Sequence, residues 1–500
     1  MTNCEEIRAV PKIIANRYRV KKPICGGMGV VYQCEDMAQN NLPVALKTFK
    51  SHYLSDHKFR AQFLHEASIW LEIGWHPNIV QAYRMEYIRT TREIYLVLEW
   101  LEPDLGEEDS SLRSKLRKGE FRSVEETLGV LLDVARAMKY ACSKIPGLIH
   151  RDLKPENIFL GAQGRAHLSD FGLVATPGDV LDVLRGSNIQ GDTSRLKLGG
   201  TPYYMSPEQW RNRNISASSD IYALGCIGLE MLSGKYVVCG RHLKTIAEEH
   251  MRGGALKKLG EVELPDRLKA FLATCLQTDP TSRFQDWESV ECELIKLHHS
   301  LLKRKFEPEK FYLEVSRITQ VNRGEALLAI GEAYLDMSET SMAIKSFERA
   351  RKIGQKQEDV ELVAGAEANL GLAYGKLCQY ELAVYHFQKA IQQYWECGDI
   401  KEAYLNYGNV SNVYYRQGDY QKAQESMAKV IQYSQQISED KETAFWNSNL
   451  NNTILNCGDK KSALEFLVYT LEVEEKQGSN KVSMKFKEML NQFMCGVGNS

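Results

Sequence analysis

The segment at residues 150–157, HRDLKPEN, and the triplet DFG at residues 170–172 constrain this chain more than any other feature. They bring two acids, a lysine and an asparagine into one short stretch of sequence. Transfer of a phosphoryl group needs a carboxylate that orients the attacking hydroxyl, oxygen ligands for Mg²⁺, and cations beside the migrating group. Because this spacing supplies all three, the sequence predicts a phosphoryl-transfer site.

A glycine-rich turn and a lysine precede that segment. Residues 25–29 read CGGMG between two β-prone stretches, and VALK at residues 44–47 puts Lys47 on a strand after an apparent hairpin. A lysine in that position can reach the α- and β-phosphates of a nucleotide. A dinucleotide-binding fold would need the glycines to open a helix, whereas VVYQ at residues 30–33 continues as a strand. The turn therefore argues against a dinucleotide site.

Taken in order, these motifs resemble those of the eukaryotic-type (Hanks-type) serine/threonine protein kinases over residues 18–300. GTPYYMSPE at residues 200–208 is similar to the substrate-docking loop of that family. GGMGVVY at residues 26–32, together with YMSPE, is most similar to its bacterial members. The resemblance implies an α+β bilobal kinase fold, ATP with Mg²⁺ or alternatively Mn²⁺ as cofactors, and protein Ser/Thr hydroxyls as substrates.

The resemblance also implies a role for each residue of the site. Asp152 would be the catalytic base, Lys154 would stabilise the γ-phosphate, and Lys47 would bind the α- and β-phosphates. Asn157 and Asp170 would hold the metal. The ATP pocket would consist of Ile24, Cys25, Gly26, Gly27, Gly29, Val31, Ala45, Lys47, Glu66, Glu99, Leu101 and Phe159. Glu66 would pair with Lys47, and Ile24 in place of the family's first glycine predicts at most an altered nucleotide affinity.

Further residues would support the site or regulate it. The supporting residues would be Arg151, Thr201, Glu208, Asp220 and Arg283, with Glu208 paired to Arg283 and Asp220 bracing the catalytic loop. Related kinases carry an activating phosphothreonine eight residues before Thr201, which predicts phosphorylation of Thr193, with Ser194 as second choice. Arg151 could then pair with that phosphate. An unmodified loop is the alternative.

From about residue 310 onward, apolar residues recur at three- and four-residue spacing, which predicts a region that is all helix. A period of 40 residues relates Gly331, Gly371, Ser411 and Asn451; Tyr334, Tyr374, Tyr414 and Ile454; Ala343, Ala383, Ala423 and Ala463; and Phe347, Phe387, Met427 and Leu467. Small residues let paired helices approach, and the larger ones fill the space between them. The pattern resembles the tetratricopeptide repeat, whose period is usually about 34 residues, and a related array of helical hairpins is the alternative.

The sequence predicts five segments along the chain. These are an N-terminal extension at 1–17, a kinase domain at 18–300, a helical linker at 301–323, four tetratricopeptide-like repeats at 324–480, and a capping helix with a tail at 481–500. In the repeats, Asn412 with Arg416, and Asn452 with Asn456, lie four residues apart and would share a helix face. Each pair could bind a peptide or could form a solvated polar face.

The composition bears on nucleic-acid binding, on membrane insertion and on the cellular compartment. The 63 Lys and Arg residues nearly balance the 65 Asp and Glu residues, which gives no support for binding to nucleic acid. The apolar runs are too short for a membrane span. Twelve cysteines without a CxxC pair predict reduced thiols, and so a cytoplasmic protein.

These patterns together predict a cytoplasmic Ser/Thr protein kinase that phosphorylates proteins and itself. Its repeats would bind a protein or peptide ligand and so recruit substrates or regulators. The alternative is an ATP-binding pseudokinase that acts as a scaffold through the repeats. Because both would bind ATP, only phosphate transfer separates them.

Overall fold

The computed structural model of this 500-residue chain describes residues 11–25, 29–49, 56–102, 109–119, 123–161, 164–171, 202–211, 213–240, 242–302, 323–434, 436 and 460–476. The chain divides into two compact units, Met1–Glu86 with Tyr95–Val321, and Tyr87–Ile94 with Asn322–Ser500. Within the described ranges, no helix has the length and apolar character needed to cross a membrane.

A six-stranded sheet with the order β1-β2-β3-β4-β6-β5 lies in the N-terminal part of the chain. Its strands are β1 Ile13–Ile14, β2 Tyr18–Cys25, β3 Gly29–Asp36, β4 Leu42–Phe49, β5 Ala82–Ile88 and β6 Glu93–Glu99. The register pairs Val31 of β3 with Lys47 of β4. Helix α1, His57–Ile73, begins after Asp56, whose carboxylate accepts hydrogen bonds from two backbone N–H groups of the first turn. The sheet and α1 carry Lys47 and Glu66.

A helical region follows the sheet in the first unit. Its helices are α2 Leu112–Lys118, α3 Val124–Lys144, α4 Pro207–Arg211, α5 Ala217–Ser233, α6 Leu243–Met251, α7 Gly254–Gly260, α8 Asp266–Cys275 and α9 Trp287–Leu302. The short strands β7, Ile158–Leu160, and β8, Ala166–Leu168, pair antiparallel. Helix α5 is buried all round from Ser218 to Met231, as expected of a central core helix. The predicted mixed fold of strands followed by helices is confirmed.

The described part of the second unit from residue 323 onward is helical, as predicted. Its long helices are α10 Arg323–Asp336, α11 Thr340–Gln357, α12 Val360–Lys376, α13 Tyr380–Cys397, α14 Ile400–Gln417, α15 Tyr420–Ser434 and α16 Lys460–Lys476. The second helices of the first three hairpins begin at Thr340, Tyr380 and Tyr420, at intervals of 40 residues. The predicted repeat residues Asn451 and Ile454, and the predicted capping helix at 481–500, lie outside the described residues.

Glycines let the two helices of a hairpin approach closely. A Cβ atom placed on Gly331 would lie 2.3 Å from the ring of Phe347, and one on Gly371 would lie 2.6 Å from the ring of Phe387. In the third hairpin Ser411 takes the glycine position, and its hydroxyl donates to the carbonyl oxygen of Ala423 at 2.7 Å. The small side chain is therefore required by contact with the facing helix.

Gly371→Ala should destabilise the repeats. Alanine is the better helix former by about 1 kcal/mol, but overpacking against Phe387 costs about 1–3 kcal/mol. Gly365→Ala in the same helix is the matched control, because its Cβ would lie 3.3 Å from the nearest atom, a side-chain carbon of Leu328. Thermal unfolding should show a lower midpoint for Gly371→Ala than for Gly365→Ala. Equal midpoints would contradict the close approach.

Basic residues at the ends of α12 and α14 link consecutive repeats. Lys376 Nζ donates to the carbonyl oxygen of Leu335 at 2.7 Å, and Arg416, 40 residues later, donates to the carbonyl oxygen of Gly375 at 3.1 Å. Asn412 is fully buried. The prediction that Asn412 and Arg416 form a peptide-binding or solvated face is therefore wrong, because Asn412 is a core residue and Arg416 caps α12, the first helix of the preceding hairpin. Asn452 and Asn456 lie outside the described residues.

Candidate active site

Lys47 lies between two carboxylates in the first unit. Its Nζ is 2.5 Å from Oε1 of Glu66 and 2.7 Å from Oδ1 of Asp170. Glu66 faces inward from α1, and Asp170 follows β8 with a φ of 64°, in the left-handed region. The ring of Trp70 lies on another side of the ammonium group, 5.7 Å from Nζ to the centroid. The structure thus brings three separate segments together at one cation.

A second cluster of polar groups surrounds Asp152. Lys154 Nζ is 2.6 Å from Asp152 Oδ2, and the Asn157 side-chain N–H donates both to Asp152 Oδ2 at 3.1 Å and to its carbonyl oxygen at 2.9 Å. The one-turn helix Pro155–Asn157 fixes this loop before β7. The backbone N–H of Ser169 donates to the carbonyl oxygen of Asn157 at 2.8 Å, which joins the Asp152 cluster to the segment carrying Asp170.

Asp220, at the N-terminal end of α5, holds the backbone of the loop. Its two carboxylate oxygens accept the backbone N–H groups of His150 at 2.7 Å and of Arg151 at 2.8 Å. Arg151 has a φ of 65°, which this pair of hydrogen bonds helps to stabilise. Gln209 also donates to the carbonyl oxygen of Arg151 at 3.0 Å. A buried acid of the core helix therefore fixes the peptide units that precede Asp152.

The environment tunes the charges of the site. Burial raises the pKa of Asp152 to about 6, although Lys154 opposes the shift. Burial also opposes ionisation of Asp170, but Lys47 outweighs it and holds the pKa of Asp170 below its ordinary value. For Lys47, Asp170 and Glu66 outweigh burial and raise the pKa. Asp170 and Lys47 are therefore an ion pair, whereas the pKa of Asp152 is raised toward the range that suits a proton acceptor.

Oxygen atoms suitable for a divalent cation lie beside these groups. Asn157 is buried and uses its side-chain nitrogen to bond Asp152, while its Oδ1 accepts no hydrogen bond from the described residues. Asp170 has a second carboxylate oxygen besides the one that bonds Lys47. Mg²⁺ is commonly bound by one or two protein oxygens together with phosphates and waters. The donor set formed by Asn157 and Asp170 therefore fits such an ion.

The predicted ATP-pocket residues lie on strands and on the segment after β6. Ala45 is buried on β4, Val31 is half-buried on β3, and Ile24 is exposed on β2. Glu99 ends β6, and its backbone N–H donates to the carbonyl oxygen of Gln81 at 2.8 Å. Two further pocket residues, Leu101 and Phe159, are half-buried. Gly29 begins β3 and Cys25 ends β2, whereas Gly26 and Gly27 lie outside the described residues.

The predicted partners Glu208 and Arg283 form a buried ion pair. Arg283 donates to both carboxylate oxygens of Glu208, at 2.7 and 2.9 Å, and neither side chain is exposed. Ser219 of α5 also donates to Glu208 at 2.6 Å. The pair therefore holds the end of the docking loop on the helical core. The remaining predicted residues, Thr193, Ser194 and Thr201, lie outside the described residues.

Sequence reasoning missed a buried network around Arg113. Arg113 on α2 donates to Glu156 at 2.7 Å and to Glu230 at 2.8 Å, and it also bonds the hydroxyl of Tyr204. The network joins α2, the Asp152 loop, the docking loop and α5. Its only signal in the sequence is an arginine among other cations of a short helix, which is typical of a solvated surface.

Comparisons with known proteins agree with this geometry. The chain matches the family model of the protein kinase domain at residues 18–295 and that of the tetratricopeptide repeat at residues 402–437. The second match covers the hairpin of α14 and α15.

Several curated relatives are similar to this chain. They include the probable serine/threonine-protein kinase PknB of Lactococcus lactis, 30% identical over 56% of this chain and 42% of that protein. PknB of Mycobacterium tuberculosis is 27% identical over 58% of this chain and 44% of that protein. PrkC of Bacillus subtilis is 27% identical over 70% of this chain and 48% of that protein. The chain thus spans less than half the length of these relatives. Since the kinase-domain match covers more than half of this chain, the chain belongs to the protein kinase family.

Proposed function

We propose that this chain is an ATP-dependent serine/threonine protein kinase that phosphorylates protein hydroxyls and itself. The observation that carries the proposal is the convergence of two clusters, Lys47 with Glu66 and Asp170, and Asp152 with Lys154 and Asn157. The names of the relatives, all serine/threonine-protein kinases, support the same assignment. Lys154, two residues after Asp152, matches the Ser/Thr branch of the family.

Each side chain has a task in this reaction. The Asp152 carboxylate orients the hydroxyl of the protein substrate and accepts its proton as the γ-phosphoryl group transfers in line. Lys154, whose Nζ is 2.6 Å from Asp152 Oδ2, stabilises negative charge on the group in transfer. Lys47 binds the α- and β-phosphates, and Glu66 fixes the position of Lys47.

Members of this family generally use ATP and a divalent cation, and we propose Mg²⁺, with Mn²⁺ as an alternative. Asn157 and Asp170 would hold it. The ion, when bound, supplies positive charge to the phosphate oxygens. Hydrogen bonding of Asn157 through nitrogen leaves its oxygen available, and the ion pair with Lys47 keeps Asp170 ionised. These residues thereby keep two oxygen donors ready.

We also propose that phosphorylation of Thr193, or of Ser194 in second place, activates the enzyme by pairing with Arg151. The repeats would recruit substrates or regulators, and the match to the tetratricopeptide family at residues 402–437 supports an interaction role. The cytoplasm is the proposed location, because the eight cysteines whose side chains the structure describes are all free thiols.

The test is transfer of labelled γ-phosphate from ATP in the presence of Mg²⁺, with the purified full-length chain and a generic protein acceptor. We expect label on Ser and Thr of the acceptor and of the chain, and mass spectrometry to find Thr193 among the modified residues. Removal of divalent cations with a chelator should stop the transfer. ATP binding without any transfer would instead support the pseudokinase scaffold.

The rate should depend on the ionisation of Asp152. Because burial raises its pKa to about 6 and only the carboxylate accepts a proton, kcat/KM for the protein substrate should fall about tenfold per unit below pH 6 and level off above it. An Asp with the ordinary pKa of 3.8 would keep full activity well below that pH. Initial rates should be measured across this range with ATP affinity determined at each pH, because the γ-phosphate of ATP also titrates. A flat profile down to about pH 5 would contradict the shifted pKa.

A further inference from the structure

The repeats enclose a groove of about 540 Å³ along the first helices of the hairpins. Its walls come from Glu325, Leu328 and Glu332 of α10; Glu361, Leu362, Gly365, Ala368, Asn369 and Leu372 of α12; and Glu402, Leu405, Asn406 and Asn409 of α14, with Tyr394, the cap residues Asp359 and Asp399, and Arg89 of the turn between β5 and β6. Binding sites commonly have volumes of about 300–1,000 Å³. The groove is therefore large enough for a short peptide segment and spans three consecutive repeats.

Carboxylates from each of these repeats face the groove. Asp359 and Asp399 are fixed in place, because each accepts a backbone N–H at the start of its helix, from Leu362 at 2.9 Å and from Glu402 at 3.1 Å. Burial raises the pKa of Glu402, and Asp399 contributes to the shift although Lys401 and Arg89 oppose it. Tyr394, which lines the same groove, also has a raised pKa, because burial is reinforced by Glu402 and Asp399. Six carboxylates line the groove together with one cation, Arg89, which is paired with Glu332 at 2.7 Å. The groove therefore keeps a negative electrostatic potential.

A buried amide supplies a second, independent feature. Asn369 is 8% exposed and lines the groove, and its side-chain N–H donates to the carbonyl oxygen of Gly365 at 3.0 Å. Its Oδ1 accepts no hydrogen bond from the described residues. Asn409, 40 residues later, lies at the equivalent position of the next repeat, is 3% exposed and lines the same groove. Oδ1 of Asn369 is therefore available to accept an N–H group that a ligand supplies.

We propose that this groove binds an extended peptide segment rich in Lys or Arg. The side-chain cations of such a segment would bond the carboxylates of Asp359, Asp399 and Glu402, and a donor N–H would satisfy Oδ1 of Asn369. Leu328, with the apolar side chains of α12 and α14, would contact the aliphatic parts of the Lys or Arg side chains. The inference rests on the proposed function, because it identifies the kind of protein that the repeats would recruit.

Peptide binding to the full-length chain tests the inference without nucleotide. The probes are three fluorescein-labelled peptides of equal length, in which Ala alternates with Arg, with Gln or with Glu, and the readout is fluorescence anisotropy. We expect the Arg peptide to bind, and to bind more weakly as salt increases, whereas the Gln and Glu peptides should bind at least about tenfold more weakly. Comparable affinity for all three peptides, or no binding of the Arg peptide, would overturn the proposal.

Variants locate the binding in the groove. Asp399→Asn combined with Glu402→Gln removes two negative charges, while asparagine keeps the helix cap. This double variant should lower the affinity for the Arg peptide about tenfold or more. The matched control, Glu381→Gln with Glu396→Gln, removes two charges from exposed positions of α13 that do not line the groove. Equal losses in both double variants would show only a general effect of charge and would reject the groove. Since the assay contains no ATP, a chain inactive in phosphate transfer can still bind the peptide, so the two proposals fail separately.

Discussion

Asp152→Asn should lower the rate of phosphate transfer by about 10²–10⁴-fold and leave ATP affinity within about twofold of the wild type. The asparagine oxygen can still accept the hydrogen bonds that Lys154 and Asn157 donate to the carboxylate, so the loop should keep its conformation. What is lost is the group that accepts the hydroxyl proton. Initial rates with labelled ATP and equilibrium binding of a fluorescent nucleotide measure the two quantities.

Glu125→Gln is the matched control for this variant. Glu125 is exposed in the first turn of α3, in the same unit, and its replacement removes the same charge away from the site. We expect control rates close to those of the wild type. If Asp152→Asn retained more than about a tenth of the activity, another group would have to accept the proton, and the assignment of Asp152 would be wrong.

The fold class and the main residues of the site could be predicted because they depend on short, ordered motifs. Asp152, Lys154 and Asn157 fall within one loop, so their spacing in the sequence almost determines their distance in space. Lys47 and Glu66 are on different elements, and their pairing could be predicted only through the resemblance to the kinase family. The structure brings them to 2.5 Å because α1 turns its buried face toward β4.

Contacts between distant elements could not be predicted. Arg113 bonds Glu230, which lies 117 residues further along the chain, and no local pattern distinguishes this arginine from a surface cation. The residues that line the groove of the repeats could not be predicted from the sequence either. The 40-residue period relates Asn369 to Asn409, but only the packing of α12 and α14 shows that these asparagines, rather than Asn412 with Arg416, line the groove.

Loss of Arg283 should destabilise the first unit by about 3–5 kcal/mol, the usual cost of leaving one partner of a buried ion pair alone. Besides its two bonds to Glu208, Arg283 donates to the carbonyl oxygens of Gln277 at 2.7 Å, Ser218 at 2.8 Å and Thr278 at 3.3 Å. Arg283→Met would therefore leave the buried carboxylate of Glu208 without its cation and three carbonyl oxygens without the N–H groups that Arg283 donates. Arg283→Lys should lower the free energy of unfolding nearly as much, because one ammonium group cannot donate in all the directions of the planar guanidinium group.

Calorimetric unfolding of the full chain measures this effect, and the Gly371→Ala variant identifies the transition that belongs to the repeats. Arg267→Met, at an exposed position of α8, is the control and should change the free energy of unfolding by no more than about 0.5 kcal/mol. Adding Glu208→Gln to Arg283→Met removes the stranded charge, so the double variant should be less destabilised than the sum of the single variants. Two outcomes would contradict a stabilising role of the Glu208–Arg283 pair. One is strict additivity of the two substitutions, and the other is a loss of unfolding free energy in Arg283→Met no larger than in the control.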